Sequence, residues 1–127
     1  MTDNVRKLLR PLSPGYLAEL RRWARAWMLS RRSRVDAYAV LLAMTELVGN
    51  SAKHGDGPIE VEISDNGDLL LLQVSDHSDG MPRQPQQHTT SEGGQGILLM
   101  DHLSVRWGVH LRHGGGKTVW CEFAPLH

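Results

Sequence analysis

A chain of 127 residues suits one domain with one hydrophobic core, and its 40% hydrophobic and 22% charged content is ordinary for a globular protein. No apolar stretch reaches the roughly 18–20 residues of a membrane span, and the opening "MTDNVRKLLRPLSPG" lacks the apolar run of a signal peptide. Cys121 is the single cysteine, which excludes an internal disulfide and fits a reducing compartment, so a cytoplasmic location is expected. The formal charge is zero but unevenly spread. Residues 1–34 carry nine Lys/Arg against Asp3 and Glu19, whereas the remainder carries five against twelve acids. The arginine-rich part reads as the solvated face of a helix that also suits an acidic protein, ahead of nucleic acid.

In chain order, residues 1–12 form an N-terminal segment that can supply an edge strand, and 13–127 form the single domain. "SPGYLAELRRWARAWMLSRR" reads as a helix: Ser13 is a candidate cap, Pro14 suits the first turn, and Leu17, Leu20, Trp23, Ala24, Trp27 and Met28 share a face. "RRSRVDAYAVLLAMTELVGNSAK" predicts a second, longer helix with Ser33 as candidate cap and Asp36 in its first turn, stopped by Gly55 and Gly57. "IEVEI" (59–63) alternates with period two and reads as a half-exposed strand. Asn66-Gly67 is a hairpin signal, and "LLLLQVS" (69–75) reads as the next strand. Asp76 to Gly94 is poor in core residues and predicts a loop of nearly twenty residues, a length that in a compact chain goes with function or disorder. "GILLMDHLSVRWG" is helical through about Leu103, and "RWGVHLR" and "KTVWCEF" are two strands joined by "HGGG". Antiparallel strands segregated from helices make an α+β two-layer sandwich, with a mixed, mostly antiparallel sheet and the helices on one face.

Three polar features fall at element ends. Glu46, Asn50 and His54 stand at i, i+4 and i+8 of the second helix, within roughly 80° of one face. Asp76 closes a strand. "GGQGI" runs into a helix, where bare backbone N–H groups and the positive end of a dipole suit a phosphate. Taken singly, these are also what a wet helix edge, a turn-forming aspartate and flexible glycines look like.

Their order resembles the boxes of the GHKL (Bergerat-fold) nucleotide-binding superfamily, over about residues 13–124. The likeness is closest to the small branch of RsbW-like anti-sigma-factor serine/threonine kinases. "ELVGNSAKH" resembles the first box, "VSDHSDGMP" the second, "EGGQGILLMDHLSVRWG" the third and "GKTVWCEF" the closing strand. The resemblance implies ATP and Mg²⁺ as ligands. It gives Asn50 to Mg²⁺, a hard cation that takes an amide oxygen, and Asp76 to the adenine amino group, which an acceptor-only carboxylate selects over guanine. It implies that Thr118 backs that contact, that Gly80 lets the backbone pass the base, and that Gly94 and Gly96 open the phosphate-binding helix. Glu46 takes the place of the general base. His54 either reaches phosphate or closes its helix.

Two positions depart from the pattern: Ser78 stands where a glycine is usual, and Gln95 where an arginine is frequent. The implied activity is phosphorylation of a small anti-sigma-antagonist-type protein together with sequestration of a sigma factor, in a branch whose members commonly form homodimers. A non-catalytic ATP-dependent switch and a detached histidine-kinase catalytic domain are the alternatives. These 127 residues contain no phospho-acceptor helix pair, and no helix-turn-helix pattern in them supports direct nucleic-acid binding.

Overall fold

The computed structural model describes residues 3–9, 14–54 (the side chain of His54 excepted), 57–77 and 100–126. The elements are β1 (Asp3–Leu9), α1 (Tyr16–Ser30), α2 (Ala37–His54), β2 (Ile59–Asp65), β3 (Leu70–Asp76), β4 (Arg106–Leu111) and β5 (Lys117–Phe123). Met100–Leu103 are also helical. The strands form one five-stranded sheet in the order β1-β2-β3-β5-β4. Every pairing among the described strands is antiparallel, so the parallel component of a mixed sheet is not seen there.

Strand alternation sorts the side chains into two faces. Ile59, Val61 and Ile63, then Leu70, Leu72 and Val74, then Val119, Cys121 and Phe123, point to one side and are buried. That side meets Leu20, Ala24 and Met28 of α1 and Val40, Met44, Leu47 and Val48 of α2 in a single core. The sandwich expected from the sequence is therefore present, with helices on one face of the sheet. The other face carries Asn4, Arg6, Glu62 and Glu122 among its residues: Asn4 donates to Glu62 at 2.8 Å and Arg106 pairs with Glu122 at 2.6 Å. β1 is an edge strand whose helix-side residues grip α1. Arg31 pairs with Asp3, and Lys7 lies 6.0 Å from the Trp23 ring.

Two caps differ from expectation. The N-cap of α1 is Gly15, in the left-handed region at φ 81° with no side-chain cap bond, rather than Ser13. Glycine supplies that conformation without a Cβ clash, so chain geometry rather than a hydroxyl starts this helix. For α2, Asp36 stands before the first turn. Its carbonyl accepts from Val40 N at 3.2 Å and its carboxylate from Tyr38 N at 3.0 Å, which is the geometry of an N-cap. Ser33 instead accepts from Val35 N at 3.3 Å, within the turn between the helices. The 3.6-residue periodicity located both helices; the caps depend on local backbone angles that periodicity does not carry.

Candidate functional site

The C-terminal ends of α2 and β3 and the start of β5 come together. A Cβ built on Gly57, just past α2, would lie 3.3 Å from the His77 ring, which places the exit of α2 beside the exit of β3. At Gly116 a Cβ would lie 2.2 Å from the Asp76 carbonyl oxygen and 2.9 Å from His77 Cα, and the residue has φ +91°. Both facts demand glycine there. Gly116 thus lets β5 begin in direct backbone contact with the end of β3.

Asp76 ends β3 on the helix side of the sheet, buried at 2% exposure. Its cross-strand partner is Lys117, 6% exposed, whose Nζ donates to Oδ1 at 3.2 Å and Oδ2 at 3.1 Å. A charged pair this deep is costly to desolvate, and the two charges offset that cost by neutralising each other. Thr118, the residue expected to back Asp76, stands one position on and therefore on the opposite face. Its Oγ1 lies 2.7 Å from Ser75 Oγ, directly across the pair. Sequence reasoning missed Lys117, although the signal was present. With Val119, Cys121 and Phe123 pointing inward, period two also turns Lys117 inward, onto the face that Asp76 shares with Leu70, Leu72 and Val74.

Glu46 and Asn50 lie one turn apart on α2 and are both half-buried, at the margin of the face that packs on β2 and β3. Among the described residues neither side chain is engaged in a hydrogen bond or ion pair. His54 is the last residue of α2, and its side chain lies outside the described residues. Gly80, Gly94 and Gly96, with Ser78 and Gln95, also lie outside them, as does the loop expected between Asp76 and Gly94 beyond His77. Among the described residues no three His, Cys, Asp or Glu side chains gather to hold a metal ion.

Two other features sit apart from this convergence. A surface pocket of about 190 Å³ is lined by Arg31, Arg32, Arg34, Asp65 and Asp68 among others, at the entry of β3 rather than its exit. No helix among the described residues is long and apolar enough to cross a membrane.

The groups at and near the junction are of the kinds that an adenine nucleotide and a hard cation would need, although Lys117 already engages the carboxylate. They include a buried acceptor-only carboxylate at a strand end, a neutral hard oxygen on the helix edge, and a glycine holding the two strands in contact. Compared with known families, residues 11–123 match the model of the histidine kinase-like ATPase domain. A search of curated proteins gives no match. The family match spans both helices and four of the five strands, including the junction just described, and ends with the last residue of β5. On that extent of agreement, the chain belongs to the histidine kinase-like ATPase domain family, within the GHKL superfamily.

Proposed function

We propose that this protein is an ATP-binding regulator that transfers the γ-phosphate of Mg-ATP to a serine or threonine of a small antagonist-type protein and, in another partner state, sequesters a sigma factor. The observation that carries the nucleotide part is Asp76. A carboxylate only accepts hydrogen bonds, and this one closes a strand on the helix side of the sheet, in the box whose resemblance implies a contact with the base. In this reading Asn50 holds Mg²⁺ through its amide oxygen, and the bound metal supplies charge neutralisation at the phosphates. Glu46, one turn earlier, takes the proton from the attacking hydroxyl. Gly80, Gly94 and Gly96 let the chain approach base and phosphates, and His54 reaches phosphate or ends its helix. Thr118 supports the site from the outer face, through its contact with Ser75, rather than by touching Asp76. The place of action is the cytoplasm, and the oligomeric state of the reading is a homodimer.

The kinase part rests on the resemblance of the four boxes, and a non-catalytic ATP switch is the reading that replaces it if no transfer occurs. The test is a calorimetric titration of Mg-ATP and Mg-GTP into wild type and Asp76→Asn, followed by phosphotransfer to an antagonist-type partner. Mg-ATP binding stronger than Mg-GTP binding, and a loss in Asp76→Asn, are expected. Equal affinities for the two nucleotides would sink the assignment of Asp76.

A further inference from the structure

The Asp76 carboxylate is engaged by the chain itself, in a way that bears on how a base reaches it. Lys117 Nζ is nearly equidistant from the two carboxylate oxygens, at 3.2 and 3.1 Å, so the ammonium sits astride the head of the carboxylate. An exocyclic amino group seeking Asp76 needs an acceptor site at the same head. The two side chains are only 8% and 3% exposed, so little of the carboxylate remains open beside the ammonium. The register Asp76↔Lys117 and the collision that any Cβ at Gly116 would make with the Asp76 carbonyl fix the start of β5 against the end of β3. Relief must therefore come from the lysine's flexible stem rather than from the backbone.

We propose that Lys117 is a specificity-determining residue that competes with the adenine amino group for Asp76. Its ammonium caps the carboxylate and turns aside when a 6-amino purine takes its place. This rests on the reading that adenine binds at Asp76. The consequence is a site that ranks bases by what they offer to the exposed pair. A 6-amino group replaces the donor that Asp76 loses. A 6-oxo group cannot replace it, but accepts from the displaced ammonium instead. Lys117 thus lowers affinity for adenine and narrows the margin between 6-amino and 6-oxo purines. An ordinary stabilising ion pair would do neither selectively.

The experiment is calorimetric binding of ADP and IDP to wild type, Lys117→Thr and Lys117→Arg, with thermal melts to establish that each is folded. In Lys117→Thr the ratio of ADP to IDP affinity should rise about tenfold or more, the scale of one charge-assisted hydrogen bond. In Lys117→Arg, whose fork holds a carboxylate through two bonds, the ratio should fall. A lysine that merely holds the fold would move both nucleotides in parallel and leave the ratio unchanged, which would overturn the proposal while leaving the nucleotide reading intact. If Lys117→Thr does not fold, an unchanged or higher ratio in Lys117→Arg overturns it equally. ADP binding that is tighter in Lys117→Thr than in wild type, with IDP binding unchanged or weaker, upholds it. Failure of ADP to bind all three proteins overturns the nucleotide reading, and the proposal with it.

Discussion

At the residue scale, the thiol in the middle of β5 shows what burial alone does to chemistry. Cys121 is fully buried, with Met100 Sδ 3.6 Å away, and burial pushes its pKa from 9.0 up to about 12. At pH 8 roughly one such thiol in ten thousand is ionised, so the native protein should resist thiol reagents and react only as it unfolds. A colorimetric thiol titration in buffer and in denaturant checks this; rapid native-state labelling would contradict it. The same shift sets a pH dependence. The folded pKa lies above the unfolded one, so the contribution is whole below pH 9 and is lost as pH rises from 9 to about 12. The slope is at most about 1.4 kcal/mol per pH unit, and the alkaline fall in stability should be shallower in Cys121→Ala. Asn50 makes a different kind of single-residue claim. On the proposed function its amide would hold Mg²⁺, so Asn50→Ala should weaken Mg-ATP binding more than metal-free ADP binding. Equal losses in the two titrations would return Asn50 to the helix surface as a bystander.

At the element scale, the junction of β3 and β5 depends on one glycine. Gly116→Ala places a methyl group 2.2 Å from the Asp76 carbonyl oxygen at a φ that L-residues avoid. The expected cost is about 1–3 kcal/mol in chemical denaturation, together with weaker nucleotide binding, because Asp76 and Lys117 lose their alignment. Gly114, which has open space around it, should be hurt less by the same change, through its positive φ alone. The two glycines look alike in "HGGG", and this is where sequence reading stopped. Periodicity located both helices and four strands because it is a property of neighbours along the chain. What crosses between strands is another matter. That Asp76 faces Lys117 rather than Thr118 follows from register, which two separate segments set together. The alternation of "KTVWCEF" contained half of that answer, since Lys117 shares the phase of Val119, Cys121 and Phe123. The other half needed the pairing partner. Glu46 and Asn50 were legible because both stand on one helix, where a four-residue spacing is itself a spatial statement.

At the scale of the whole molecule, the proposed base-recognition group and the proposed general base fall on different layers of the sandwich. The sheet holds Asp76 and Lys117 at one strand junction, while Glu46 and Asn50 ride on α2, which packs across β2 and β3. A nucleotide bridging the two layers should stabilise the fold by mass action, so the melting temperature should rise with Mg-ATP concentration. Glu46 is the residue that can tell such binding from turnover. On the proposed function, this carboxylate, one turn before Asn50, would take a proton from an incoming hydroxyl without contributing to the ground-state hold on ATP. General-base catalysis is typically worth about 10²–10⁴ in rate. Glu46→Ala should therefore keep the same nucleotide-induced rise in melting temperature while phosphotransfer to an antagonist-type partner drops by that factor, read in single turnover. Ser78 and Gln95 depart from the pattern of the kinase branch, so the wild-type rate is the necessary reference. If Glu46→Ala transfers phosphate as fast as wild type, the base is another group. If the wild type transfers none to such a partner while its melting temperature still climbs with Mg-ATP, the protein is a switch that reads ATP without spending it.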